Sequence, residues 1–176
     1  HNAVVAIVGL GYVGLPLAVA FAEHGFPVIG IDVDARKVTS LNHGESYVQD
    51  IPSERLATIV ARGNPGSDGA PAAGAFRATT DYAALAYCDA AIICVPTPLN
   101  KTRDPDVRFV IAAGESVAQY IRPGMLLALE STTYPGTTED LLLPMLTGRA
   151  IADRLHVKSF EVGTDFFLAF SPERID

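Results

Sequence analysis

The stretch that decides the fold lies at the start of the chain: Val4-Val5-Ala6-Ile7-Val8, followed at once by Gly9-Leu10-Gly11-Tyr12-Val13-Gly14. The first part is apolar and rich in β-branched residues, which predicts a buried strand. The glycines follow with the spacing of a tight turn that leads into a helix near Val13. In such a turn Gly9 permits the bend, Gly11 lets a pyrophosphate approach the backbone, and Gly14 lets helix and strand pack closely. The stretch therefore predicts a dinucleotide-binding βα unit.

An acidic residue supports this interpretation. Asp32 ends the next apolar run, Val28-Ile29-Gly30-Ile31, and lies 18 residues beyond Gly14. This is close to the roughly 20 residues expected for a carboxylate that binds the adenosine ribose hydroxyls. Arg36 and Lys37 follow, and they either contact the adenosine end or form a solvated helix face. Asp32 would repel a 2′-phosphate, so the sequence favours NAD over NADP.

Alternating apolar and helical segments predict the fold class. We expect strands at about 3–8, 27–31, 76–79, 89–95, 125–130 and 166–170, and helices at 13–24, 34–43, 52–62, 81–86, 106–121 and 137–146. Short continuous apolar strands alternating with helices are typical of right-handed βαβ units. The prediction is an α/β, Rossmann-type, doubly wound and mostly parallel sheet with helices on both faces. Residues 1–176 would form one NAD-binding domain.

Composition excludes several classes of function. The formal net charge is -7 and the 13 basic residues are scattered, which argues against nucleic acid or an anionic membrane as a partner. No apolar run approaches the roughly 20 residues that cross a bilayer. Cys88 and Cys94 provide no disulfide framework and fit a reducing cytoplasm. His24, His43 and His156 have no metal-ligand spacing, so we expect no metal site.

Two later strands end in residues suited to a cofactor site. Val95-Pro96-Thr97-Pro98 follows a buried strand, and ligands of open α/β sheets bind at the carboxyl ends of the strands. This turn either contacts the cofactor through Thr97 or is an ordinary strand end. Ser131-Thr132-Thr133 follows the next strand, where a nicotinamide would lie, so Thr132 could orient a water or a substrate hydroxyl. Glu173 follows the last strand and is either a general base or a surface residue paired with Arg174.

Six ordered segments together resemble the UDP-glucose/GDP-mannose dehydrogenase family over nearly the whole chain. They are Gly9 to Pro16, Gly30 to Asp34, Leu41 to Ser46, Val95 to Asn100, Glu130 to Thr138, and Phe170 to Arg174. The resemblance implies cofactor contacts at Gly9, Gly11, Tyr12, Val13, Gly14, Asp32, Arg36, Lys37, Val95, Pro96, Thr97 and Thr132. It also implies catalytic roles for Thr132, which helps to position water, and for Glu173, which acts in the hydrolytic step.

The resemblance implies an oxidation by four electrons. Two NAD molecules convert the C6 alcohol of a UDP-sugar to the uronic acid, through an aldehyde that a cysteine traps and a thioester that water hydrolyses. The favoured substrate is UDP-N-acetylglucosamine, with UDP-N-acetylmannosamine or UDP-glucose as alternatives. A cytoplasmic homodimer or higher oligomer is expected for the complete enzyme.

This sequence departs from the family pattern in one respect. The catalytic cysteine and its partners come after residue 176, and neither Cys88 nor Cys94 matches that nucleophile. We therefore expect the front part of a longer protein, able to bind NAD but unable to oxidise a sugar by itself. Two other readings remain open: a β-hydroxyacid dehydrogenase, against which Val95 to Pro98 argues, and a non-catalytic NAD-sensing module. A sensor would need neither Thr132 nor Glu173.

Overall fold

Six parallel strands form one sheet, in the order β3-β2-β1-β4-β5-β6. The structure is a computed structural model that describes residues 3–63, 69–98 and 105–172. The strands are β1 (Val5–Val8), β2 (Val28–Ile31), β3 (Phe76–Thr79), β4 (Ala90–Ile93), β5 (Leu126–Glu130) and β6 (Phe167–Ser171). The helices are α1 (Gly14–Glu23), α2 (Ala35–Asn42), α3 (Ser53–Val60), α4 (Arg108–Ala118), α5 (Leu143–Thr147) and α6 (Arg149–Leu155).

Two apolar cores lie on opposite faces of the sheet. Val5 and Ile7 of β1 face one core, which α1, α2 and α3 cover. Ala6 and Val8 face the other, which α4, α5 and α6 cover. Successive side chains of a strand point to opposite faces, so a strand covered on both sides is apolar at every position. The doubly wound α/β fold predicted from the sequence is confirmed.

The strand order reverses between β1 and β4, where the connections leave the sheet in opposite directions. Val8 pairs with Ile31 on one side and Ile93 on the other. Their carboxyl ends therefore open at the same edge of the sheet, and the crevice above this reversal is where such sheets bind ligands. This topology brings the glycine turn after β1 and the turn after β4 together.

All six strands lie where the sequence predicts them, but three helical segments differ. Residues Tyr82–Tyr87 form a 3-10 turn, with the Asp81 carboxylate accepting a hydrogen bond from the Ala83 N–H at 2.8 Å. Within the predicted helix at 137–146, Thr137–Leu142 has π-helical geometry and α5 follows it. Pro144 has no N–H to donate to the carbonyl of residue 140, so a regular α-helix cannot run through this segment. Helix α6 is not predicted from the sequence.

Among the described residues, no helix is long and apolar enough to cross a membrane.

Candidate functional site

A cleft of about 840 Å³ opens at the carboxyl ends of β1, β2 and β4. Its walls come from the glycine turn, the end of β2, the turn after β4 and one side of α4. The backbone fixes this geometry, because the Gly9 N–H donates to the Ile31 carbonyl and the Cys94 N–H donates to the Val8 carbonyl, each at 2.7 Å. Nine of the residues predicted to contact a cofactor line it: Gly9, Gly11, Tyr12, Val13, Asp32, Lys37, Val95, Pro96 and Thr97.

The three glycines of the turn have different roles. Gly9 has a φ of +94°, and a Cβ there would lie 2.8 Å from the Cys94 carbonyl oxygen. A Cβ on Gly14 would lie 1.8 Å from the Gly9 carbonyl oxygen. The fold therefore requires both of these glycines. A Cβ on Gly11 would meet nothing within 4 Å, so Gly11 leaves open space at the wall of the cleft. A pyrophosphate that bonds the backbone needs such space.

Helix α1 presents its N-terminus beside this open space. No side chain caps it, and its first turn contains no acidic residue. Pro16 has no N–H, and the N–H groups of Leu15 and Leu17 already donate to the Gly11 and Val13 carbonyls, at 3.1 and 3.2 Å. The helix dipole nevertheless makes this end electropositive, so the arrangement fits an anion.

The Asp32 carboxylate joins the end of β2 to the glycine turn. Its side chain is only 7 % exposed. Oδ2 accepts a hydrogen bond from the Leu10 N–H and Oδ1 accepts one from the Asp34 N–H, each at 2.9 Å. The Lys37 ammonium lies 3.7 Å from Oδ2. A carboxylate has about four acceptor positions, so capacity remains for the two hydroxyls of a ribose.

Aromatic residues that the sequence analysis did not identify also line the cleft. Tyr47 comes from the loop after α2, Tyr82 from the 3-10 turn, and Phe109 from the first turn of α4. Burial, with the Asp32 charge as a smaller contribution, raises the pKa of Tyr82. Each is a single aromatic residue without periodic spacing. No signal in the sequence could have placed them at the site. Apolar walls of this kind suit the binding of a nucleotide base.

Hydrogen bonds tie the turns after β4 and β5 to each other. The Thr97 hydroxyl donates to the Thr132 carbonyl at 2.7 Å, and the Ser131 hydroxyl donates to the Val95 carbonyl at 2.9 Å. Thr132 lines a second cavity, of about 540 Å³, together with Thr133 and Phe170. The buried Thr133 hydroxyl oxygen has no hydrogen-bond partner among the described residues.

Two other predicted residues lie elsewhere, and a third is not among the described residues. Gly14 packs beneath the turn rather than lining the cleft. Arg36 also does not line it, because its side chain is 92 % exposed and pairs with Asp34 at 3.0 Å. Glu173 lies outside the described residues. In the described part of the chain, no three His, Cys, Asp or Glu side chains cluster as a metal site requires.

Comparison with known proteins identifies the kind of domain to which this geometry belongs. The sequence model of the NAD binding domain of the UDP-glucose/GDP-mannose dehydrogenase family matches residues 3–176. The UDP-N-acetyl-D-glucosamine 6-dehydrogenase of Salmonella typhi is 33% identical over 172 residues, which cover 98% of this chain and 35% of that protein. The UDP-N-acetyl-D-mannosamine dehydrogenase of Yersinia pestis is also 33% identical, over 97% of this chain and 37% of that protein.

A solved structure shows the same fold. The GDP-mannose dehydrogenase of Pseudomonas aeruginosa, described as a ternary complex, superimposes with a TM-score of 0.78 at 28% sequence identity. The match covers 98% of this chain and 36% of that one. The chain thus spans about a third of the length of these relatives.

Proposed function

This chain belongs to the UDP-glucose/GDP-mannose dehydrogenase family as its NAD-binding domain, and on that premise we propose that the cleft beside the glycine turn is where NAD binds. The observation that carries the proposal is the open space at Gly11, next to the uncapped N-terminus of α1. A pyrophosphate there would accept hydrogen bonds from the backbone and lie at the positive end of the helix dipole.

The remaining groups of the cofactor follow from that position. Asp32, which already accepts two backbone hydrogen bonds, has acceptor capacity for the adenosine ribose hydroxyls. The nicotinamide half would then extend along Val95, Pro96 and Thr97 towards Thr132. The hydrogen bond from Thr97 to the Thr132 carbonyl holds these two turns together. Gly14, the first residue of α1, packs against Gly9 and supports the turn.

We propose that the complete enzyme oxidises the C6 alcohol of a UDP-sugar to the uronic acid with two NAD molecules. When bound, NAD⁺ supplies the hydride acceptor. Thr132 lies at the edge of the second cavity, where its hydroxyl would orient a water or substrate hydroxyl. Glu173 would act as general base in the hydrolytic step, a role that rests on its place in the sequence after β6. Residues 1–176 form the cofactor domain in this proposal.

The cysteines of this chain fit a domain without the catalytic nucleophile. Cys88 and Cys94 are both buried. Burial raises the pKa of the Cys88 thiol to about 12, and a thiol needs its thiolate form to attack an aldehyde. We therefore propose that the nucleophile lies in the part of the enzyme outside this chain. The 176-residue chain would bind NAD but oxidise no sugar by itself.

UDP-N-acetylglucosamine is the proposed substrate, because the relative from Salmonella typhi carries that specificity in its name. The relative from Yersinia pestis has the same 33% identity and is named for UDP-N-acetyl-D-mannosamine, so this second sugar is one alternative, and UDP-glucose is another. Two buried cysteines without a disulfide framework fit a reducing compartment, and we propose a cytoplasmic enzyme. The homodimer or higher oligomer that the resemblance implies is also part of the proposal.

One pair of assays tests the proposal. The 176-residue chain is titrated with NAD⁺ by calorimetry, and the complete enzyme is supplied with NAD⁺ and each of three sugars: UDP-N-acetylglucosamine, UDP-N-acetylmannosamine and UDP-glucose. We expect saturable binding by the chain, and two NADH for each sugar consumed by the enzyme. A folded chain without affinity for NAD⁺ would overturn the assignment of the cleft. An enzyme that forms no NADH with any of the sugars would overturn the reaction.

A further inference from the structure

A loop between α2 and α3 reaches over to the glycine turn. We call residues 43–52 the strap. Its side chains Val48 and Ile51 are 2% and 4% exposed and pack into the core beneath α1. Gly44 has a φ of +77° and lies so close to Ala57 that a Cβ would approach it to 2.8 Å. The strap is thus fixed on both sides of Tyr47.

Tyr47 uses its hydroxyl on the turn itself. It donates a hydrogen bond to the carbonyl of Leu10, the residue between the first two glycines. The Leu10 N–H donates to the Asp32 carboxylate at 2.9 Å. Side chains from two other segments therefore hold both polar groups of Leu10. Because a peptide unit is planar and trans, fixing the Leu10 carbonyl also fixes the direction of the Gly11 N–H, which points the opposite way.

Tyr47 also contacts a charged residue of the cleft. The Lys37 ammonium lies 5.5 Å from the centre of the Tyr47 ring, at the distance of a cation–π interaction. The same ammonium is 3.7 Å from Asp32 Oδ2. Lys37 is therefore held between an aromatic ring and a carboxylate. Burial, followed by the charges of Asp32 and Asp34, raises the pKa of Tyr47 above its ordinary value, so the hydroxyl keeps its proton.

We propose that Tyr47 is a positioning residue for the dinucleotide, which sets the Leu10–Gly11 peptide for the pyrophosphate and holds Lys37 against Asp32 for the ribose. This inference rests on the proposed binding of NAD in the cleft. Tyr47 would contribute to the binding of NAD in two separate ways, through its hydroxyl and through its ring. The hydroxyl acts on the phosphate end, whereas the ring acts on the adenosine end.

These separate roles give the test. Tyr47→Phe removes only the hydroxyl, and Tyr47→Leu removes the ring as well. Dissociation constants of NAD⁺, ADP-ribose and adenosine are measured by titration on the 176-residue chain. We expect Tyr47→Phe to weaken the binding of NAD⁺ and ADP-ribose by about threefold to tenfold, which is the value of one net hydrogen bond, and to leave the binding of adenosine unchanged. Tyr47→Leu should also weaken the binding of adenosine, by about twofold to fivefold.

The control is Tyr87→Phe, since Tyr87 is half-exposed and lies outside the residues that line the cleft. It should change none of the three constants. A Tyr47→Phe variant that binds NAD⁺ like the wild type would overturn the inference while the proposed function stands. Equal losses for adenosine and NAD⁺ in Tyr47→Phe would also overturn it, because they would indicate general loosening. Failure of the wild type to bind NAD⁺ would overturn the proposed function together with this inference.

Discussion

Replacing Gly11 with alanine should separate cofactor binding from folding. A Cβ at this position meets no atom within 4 Å, and Gly11 does not have a positive φ. The methyl group therefore costs the fold little, and we expect the free energy of unfolding to stay within about 0.5 kcal/mol of the wild type. The same methyl group would occupy the space proposed for the pyrophosphate. The loss of one charge-assisted hydrogen bond costs about 1.5–3 kcal/mol, which weakens NAD⁺ binding roughly tenfold to a hundredfold.

Gly14→Ala is the matched comparison. Its Cβ would lie 1.8 Å from the Gly9 carbonyl oxygen and 3.1 Å from a side-chain carbon of Ile7. The helix would have to withdraw from the turn by roughly 1.5 Å to restore ordinary contact. Because the clashing oxygen belongs to the backbone, we expect the cost to reach about 3 kcal/mol or more, at the upper end for overpacking.

Two assays separate the effects of the two substitutions: unfolding in urea measures stability, and calorimetric titration with NAD⁺ measures affinity. We expect Gly11→Ala to lose affinity with stability intact, and Gly14→Ala to lose stability. A Gly11→Ala chain with wild-type affinity would refute the placement of the pyrophosphate. A Gly11→Ala chain as unstable as Gly14→Ala would refute the distinction between the two glycines.

Two further substitutions test the supporting structure. The Asp89 carboxylate accepts a hydrogen bond from the Val4 N–H and pairs with Arg122, each at 2.8 Å, and these contacts lower its pKa. Its stabilisation is therefore present above the unfolded-state pKa and lost as the pH falls through the folded-state pKa. In urea unfolding, Asp89→Asn should cost about 1 kcal/mol at pH 7, and the difference from wild type should shrink near pH 3. Ser131→Ala removes the hydrogen bond to the Val95 carbonyl. It should therefore lower the free energy of unfolding by about 1 kcal/mol and weaken the binding of NAD⁺ severalfold.

Each of these two expectations has an outcome that would contradict it. For Asp89, a difference in stability that is the same at pH 7 and pH 3 would mean that its ionised form makes no special contribution. For Ser131, a loss of stability without any change in NAD⁺ affinity would mean that the turn after β4 does not depend on the turn after β5.

The fold could be predicted from the sequence because its signals are local. Strands such as Val5–Val8 are short, apolar and bounded by turn residues, and their alternation with helices leaves few topologies. Helix α6 has no such signal, since its seven residues carry only two buried side chains, Ile151 and Ala152. The π-helical segment at Thr137–Leu142 follows a left-handed Gly136 and precedes Pro144. Its geometry depends on how these two constraints combine, which periodicity does not reveal.

The candidate site was predictable only where it is built on the ends of strands. The glycine turn, Asp32 and the turn after β4 follow strands directly, and the topology places them at one edge. Tyr47 lies 37 residues from Leu10 in sequence, and their contact arises from the packing of the strap. Arg36 shows the reverse case, because its sequence position after Asp32 suggests the cofactor cleft, whereas its side chain points to solvent.

The most direct test of the account is residue-resolved, and it uses the amide resonances of the isotopically labelled 176-residue chain during titration with NAD⁺. We predict saturable shifts that begin at the glycine turn and include Gly11, Asp32 and Thr97. We also predict unchanged resonances at Gln119 and Arg154, which line a separate groove between α4 and α6. Shifts confined to that groove, or no shifts at all from a folded chain, would contradict the claim that the cleft at the strand-order reversal is the NAD site.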